Sequence, residues 1–330
     1  MIDDKWSYNN LKLLILSSSH LAITIIPELG GLIWSIKDKI KNYEIMAHVR
    51  EPKPLSQMQG IIALKDLLDI IFVGGWYEVL PNAGYYNEFN SITYGLHEET
   101  VYLPWKAEYD SYRDPNSILL YVKLNKVPFL LYKRISVADN KITIEEELRN
   151  ESDSDVVFSW LHHPTFGQDL LDENAELKLP NVEFEVDKYL SSHYSQLKPG
   201  YVGVWPIAKT KDDKEMDLSK FPKKGEINSD DLIYFKNTKI NNFVISNRKK
   251  GLTLKVEWDA NIFPTLWIWR ALGGGSGYPW YGKIYALSVE MSTSYPATGL
   301  NDQIKLGTAK TLEGRGIIYS KINLSLESEM

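Results

Sequence analysis

Leu252-Thr253-Leu254-Lys255-Val256-Glu257-Trp258 decides the fold class of this chain. Its apolar residues fall on every second position with threonine, lysine and glutamate between them, and a period of two puts the apolar set on one side of an extended strand. Ile142, Ile144 and Leu148 repeat the pattern against Lys141, Thr143, Glu145, Glu147 and Arg149. Working outward, further β-prone runs lie at 21–26, 118–124, 129–137, 156–161, 175–179, 243–246, 265–270 and 283–291, separated by Gly, Pro, Asn and Asp. The chain reads as all-β and antiparallel. Only 61–72 has helical spacing, with Leu64, Leu67, Leu68 and Ile71 recurring at three and four residues. One short helix gives no βαβ alternation. Gly273, Gly274, Gly275 and Gly277 sit between strands rather than ahead of a helix, so no nucleotide cofactor is expected.

The 330 residues are 44% apolar and 24% charged, ordinary usage for a globule with a large core. The polar segment 209–224 is expected to loop over solvent, and residues 326–330 to fray. Neither has the character of a flexible linker, and a single domain over 1–330 is the expectation. A net charge of -6, from 37 basic and 43 acidic residues without long blocks, argues against nucleic acid as a partner. The absence of cysteine removes disulfides, thiolate ligands and cysteine nucleophiles. The first apolar stretch, from Leu11 to Leu16, is interrupted by Lys12 and preceded by Asp3 and Asp4, unlike a secretory signal. No run reaches the ~18 apolar residues of a membrane span, so a cytoplasmic protein without a membrane partner is expected.

The 10 Trp and 20 Tyr admit two readings. They fill a β-rich core, or they present flat apolar faces and polar tips to sugar rings. Six histidines offer groups that titrate near neutrality. His20, His48 and His193 stand in turn-like, solvated contexts. His97 lies in the irregular Gly95-Leu96-His97-Glu98-Glu99, and His162 and His163 close a β run before Pro164-Thr165-Phe166-Gly167. Neighbours on a strand face opposite sides, so only one of the two looks into a given pocket. No metal is expected, because the helical His spacing is missing and adjacent strand histidines chelate one ion poorly. Glu290 ends an apolar strand, where desolvation makes a carboxylate a stronger base. Glu146 shares a face with Ile142, Ile144 and Leu148, so it must be paired or border a cavity. Arg270 could fork onto hydroxyls or an anionic substituent, or pair with an acid such as Glu290.

In order along the chain stand Ile25-Ile26-Pro27-Glu28-Leu29-Gly30-Gly31-Leu32-Ile33, then Gly74-Gly75-Trp76-Tyr77-Glu78-Val79-Leu80-Pro81-Asn82-Ala83-Gly84. Gly95-Leu96-His97, His163-Pro164-Thr165-Phe166 and Val289-Glu290 with Thr293 and Pro296 follow. This succession, from about Ile23 to Leu300, resembles the aldose 1-epimerase (galactose mutarotase) superfamily. The resemblance implies a supersandwich of two large antiparallel sheets with a sugar cleft. It implies an isomerase of carbohydrate metabolism that interconverts α and β anomers without cofactor or metal. By position, His163 matches the general acid at the ring oxygen, His97 the second histidine near that oxygen, and Glu290 the general base at the anomeric hydroxyl. Arg270, Trp76, Asn82, Glu98, Trp160 and Trp269 complete the expected sugar-contacting set. The family's arginine has no counterpart between Phe72 and Gly84, and Asp230 and Asp231 stand in different company from its sugar-binding aspartate. Two other readings stand beside this one. The first is a non-catalytic carbohydrate-binding or sugar-sensing sandwich. The second is a glycoside hydrolase-like enzyme pairing Glu290 with Glu98 or Glu146. A small-molecule sugar is the expected partner throughout, for a monomer or homodimer.

Overall fold

Alternating sequence becomes two large sheets in the computed structural model, which describes residues 1–57, 71–167, 169–190, 193–275 and 280–328. The larger sheet runs Ile2–Tyr8, Leu11–Ser17, Leu21–Ile26, Leu32–Asp38, Gly75–Val79, Leu161–Phe166, Tyr285–Ser292, Thr265–Leu272, Ser229–Phe235, Glu183–Val186, Val202–Val204, with Tyr43–Glu44 paired beside Leu32–Asp38. The smaller runs Ala175–Lys178, Asn242–Asn247, Leu252–Trp258, Ile317–Ser328, Lys141–Asn150, Phe129–Ala138, Asp114–Lys123, Lys106–Asp110. Their central ladders are antiparallel. The antiparallel all-β class expected from the alternation, and the supersandwich that the resemblance implies, are the observed architecture. Leu254, Val256, Ile142, Ile144 and Leu148 of the smaller sheet share one core with Ile23, Ile268, Leu287 and Val289 of the larger.

Two expectations meet a different outcome, and a third falls outside the described residues. The segment 209–224 is not merely a solvent loop: Glu215–Asp217 pairs with Ile207–Lys209, and Leu218 and Phe221 beyond it enter the core. Its apolar residues anchor a polar hairpin. Leu326 does not fray but is buried, because Ile317–Ser328 lies between Lys141–Asn150 and Leu252–Trp258; residues 329–330 fall outside the description. The helix expected over 61–72 falls almost wholly on 58–70, outside the described residues. The α-helix Leu300–Lys305 carries no such signal in the sequence. Among the described residues, no helix is long and apolar enough to cross a membrane.

The larger sheet is buried on both faces where it passes the site. Every described residue of Gly75–Val79, Leu161–Phe166 and Tyr285–Ser292 is buried. One face meets the smaller sheet. The other packs under Phe72, Val73, Leu96, Val101 and Ala297 from covering segments. Gly74 is needed where these layers meet: its φ is +87°, and a Cβ there would lie 1.9 Å from the Ala47 carbonyl oxygen.

Candidate active site

Register alone assembles a row of side chains across five strands of the larger sheet. Tyr77 pairs with His163, Glu290 with Trp267, and Trp267 with Tyr234. The pairs Leu161–Ser292 and Thr165–Ser288 bracket His163 so that it falls opposite Glu290. Directly opposed residues share a face, so Tyr77, His163, Glu290, Trp267 and Tyr234 all point away from the smaller sheet. Thr165, Ser288 and Trp269 form the next row on that face.

His163 Nε2 lies 3.4 Å from Glu290 Oε1, with both side chains buried. Burial pushes the Glu290 carboxyl up to about 8, with Ser288 pulling it partly back. Burial likewise holds the His163 imidazole down at about 4. Both groups are driven toward their neutral forms, so over the range between them the pair carries one proton in total.

His97 reaches this pair from outside the sheet. It adopts a left-handed backbone, with φ +53°, which histidine tolerates better than most residues. A reciprocal clamp holds it: His97 N donates to the Gly84 carbonyl at 2.8 Å, and Gly84 N donates to His97 Nδ1 at 3.1 Å. Gly84 must be glycine, since a Cβ there would lie 2.6 Å from both the Ala297 carbonyl oxygen and Gly299 N. With Nδ1 accepting, the neutral ring carries its proton on Nε2 and acts as a donor. Burial and then the neighbouring His163 press its pKa down to about 3, and the two rings meet edge to face at 5.6 Å.

Aromatic rings surround the pair. Trp269 stands 6.0 Å from His163 and from Phe72, and Phe72 lies 5.6 Å from His163 and 5.7 Å from Trp280. Trp269 Nε1 donates to Asp230 Oδ1 at 2.7 Å, and the Arg50 guanidinium lies over the Trp280 ring at 5.5 Å. Tyr234 donates to Asp187 at 2.8 Å below Trp267. Such a set offers faces for sugar C–H groups and acceptors for hydroxyls.

His97, His163, Glu290 and Trp269 therefore stand together, and five other expected residues stand elsewhere. Trp76 and Trp160 point into the sandwich core, where Trp76 Nε1 donates to His162 Nδ1 at 3.3 Å and Trp160 Nε1 to Glu78 Oε1 at 2.8 Å. Tyr77, not Trp76, shares the face of His163 and Glu290. Arg270 also faces the core, one residue out of phase with Trp269. It pairs in register with Asp231, donates to the Lys220 carbonyl at 3.0 Å, and leaves Nε without a partner among the described residues. Asn82 is a scaffold: its amide donates to the carbonyls of Gly84, Tyr85 and Gly95, and its oxygen accepts from Asn87 and Leu300. Glu98 is held by Lys126 at 2.6 Å and by the Gly95 N–H. Sequence reasoning passed over Tyr77, Phe72, Trp280, Ser288 and Arg50. Only the strand phase marks the first, and only tertiary packing the others.

His162 and Glu146 meet inside the sandwich. His162 Nε2 lies 3.1 Å from Glu146 Oε2, which also accepts from Ser320, while Lys133 Nζ pairs with Glu78 Oε2 at 2.9 Å. Burial, then repulsion from Glu146, raises Glu78 to about 7. Glu78, Glu146 and His162 are close enough to share an ion. The Lys133 ammonium already supplies a cation there, and Glu146 Oε1 has no hydrogen-bond partner among the described residues. Of the remaining histidines, His20 pairs with Asp139 at 2.5 Å, and His48 and His193 are exposed.

No family model matches this sequence, and no curated protein matches it. Solved structures do. A Klebsiella pneumoniae protein provisionally described as an aldose 1-epimerase superposes with a TM-score of 0.73 at 15% identity, over 99% of this chain and 83% of its own. A galactose mutarotase-like protein from Clostridium acetobutylicum gives 0.67 at 15% identity, over 100% and 99%. An aldose epimerase homologue from C. elegans gives 0.60 at 14% identity, over 96% and 99%. The chain has the galactose mutarotase-like fold.

Proposed function

We propose that this protein is an aldose 1-epimerase-like isomerase that interconverts the α and β anomers of a sugar. The single observation that carries the reading is the opposed His163 and Glu290, one proton between them, among aromatic rings. Ring opening needs a proton removed from the anomeric hydroxyl and one delivered to the ring oxygen. Glu290 takes the first, His163 gives the second, and the C–O bond opens to an aldehyde. Rotation and the reverse transfers close the ring on its other face, so no proton is gained or lost overall. His97 donates Nε2–H toward the ring oxygen. Trp269, Phe72 and Tyr77 pack against the ring. The names of the structural neighbours agree with this chemistry.

The hydrolase reading loses its second carboxylate. Glu146 lies inside the sandwich, and Glu98 is tied to Lys126. A binding protein without turnover is separated by experiment. Saturation transfer between the anomeric proton signals of a panel of aldoses and their charged derivatives should rise with the protein and vanish with Glu290→Gln. Line broadening without transfer for every sugar would reject the isomerase in favour of a sugar-binding protein.

A further inference from the structure

His163 Nδ1 has two hydroxyl neighbours, Ser288 Oγ and Thr165 Oγ1, each at 3.1 Å. The two are not equivalent. Ser288 Oγ also donates to the Pro164 carbonyl at 2.7 Å. That carbonyl has no proton to return, so the serine hydrogen is committed and its lone pairs are what remain for the imidazole. Ser288 also lowers the Glu290 carboxyl, and if its hydrogen turned to that carboxylate it would be spent just the same. Either way Ser288 accepts and Nδ1 must donate. Thr165 has no second hydrogen bond among the described residues, and its hydroxyl can turn to donate or accept.

We propose that Ser288 is a positioning residue that sets the tautomer of His163, holding the proton on Nδ1 so that Nε2 meets Glu290 as a lone pair. The direction of the relay then runs from Glu290 through His163 and Ser288 to the backbone of the same strand. Only with Nε2 bare can the single proton of the pair sit on Glu290 and pass across the 3.4 Å gap. The opposite tautomer would direct N–H at a protonated carboxyl and block the exchange. Glu290 and His97 are the titratable groups set against the His163 ring, with Tyr77 opposite in register, and none of them hydrogen-bonds Nδ1 among the described residues. The side-chain partners of Nδ1 are therefore the two hydroxyls, and a contact of the ring with its own backbone, which raises its pKa, adds to them. The catalytic consequence rests on the isomerase reading. The tautomer itself does not.

Two-bond proton–nitrogen correlation spectra of imidazole-labelled protein near neutral pH, with His163 assigned by His163→Gln, read the tautomer directly. The wild type should show Nδ1–H. Ser288→Ala leaves the rotatable Thr165 as the side-chain partner of Nδ1 and should shift His163 toward Nε2–H, while Ser288→Thr should restore the original pattern. Where anomer exchange is measurable, Ser288→Ala should lower kcat by about tenfold or more, the direction seen when a catalytic histidine is held in the wrong tautomer. KM should hold and Ser288→Thr should recover the rate. A wild-type spectrum showing Nε2–H overturns the proposal without any variant, as does an unchanged tautomer in Ser288→Ala. Nδ1–H in a protein inert toward every sugar would leave the tautomer assignment standing and reject the isomerase reading.

Discussion

Nε2 of His163 and Oε1 of Glu290 face each other at 3.4 Å from opposed positions on neighbouring strands, in a place where neither is favoured as an ion. Two ordinary side chains thereby become a pair with one proton. Its titration belongs to the pair rather than to either residue.

The rate of anomer exchange should follow that single proton. Below about 4 the pair takes a second proton and lacks a base, and above about 8 it loses the last and lacks an acid. The expected kcat/KM profile is a plateau between these limits, measured by polarimetry or anomeric NMR. Glu290→Gln should lower the plateau by roughly 10²–10⁴ and remove the basic limb.

Stability should respond in the opposite sense to a simple loss. Folded Glu290 holds its proton up to about 8 instead of the usual 4.5, so between these values the folded state binds more protons and stability falls as pH rises. The slope approaches ~1.4 kcal/mol per pH unit. Glutamine does not titrate. Urea denaturation of Glu290→Gln should show a gain over wild type that grows from about 4.5 to 8 and then levels. The His163 contribution has the other sign, rising with pH between about 4 and 6.5, so the comparison is read above about 6.5, where it is complete.

The ion pair inside the sandwich predicts a stability defect without a binding one. Lys133 and Glu78 are both almost wholly excluded from solvent. Lys133→Met leaves Glu78 uncompensated and should cost about 3–5 kcal/mol by denaturant titration. Adding Glu78→Gln should recover much of that loss, because the orphaned charge goes with it.

Arg270 and Trp269 are neighbours in sequence and separate in effect. Trp269→Ala removes a ring 6.0 Å from His163 and should raise KM by about tenfold, in line with an aromatic stacking contribution of ~1 kcal/mol or more. Arg270→Met lies on the core face and should leave KM within about twofold while shifting the denaturation midpoint, as expected for a lost buried hydrogen bond of ~1–3 kcal/mol.

Much of the site was legible before any coordinate. The turn signals, the alternating runs and the ordered motifs pointed to the sandwich, and His97, His163, Glu290 and Trp269 were named from them. The errors share one cause. In Gly75–Val79 and Thr265–Leu272 the residues on both faces are buried or nearly so, and the strands show no polar face to set the phase. The sequence therefore does not tell which of Trp76 and Tyr77, or of Trp269 and Arg270, shares the face of His163 and Glu290.

By itself the sequence determined the β class and the residue types that can exchange a proton near neutrality, because period, turn chemistry and ordinary side-chain pKa are local properties. The tertiary structure decided which face of the sheet carries the opposed His163 and Glu290. It brought Gly84 against His97, and it pressed His163 and Glu290 out of their ordinary charge states. Those outcomes depend on packing and desolvation by segments far away in the chain, which no local pattern records.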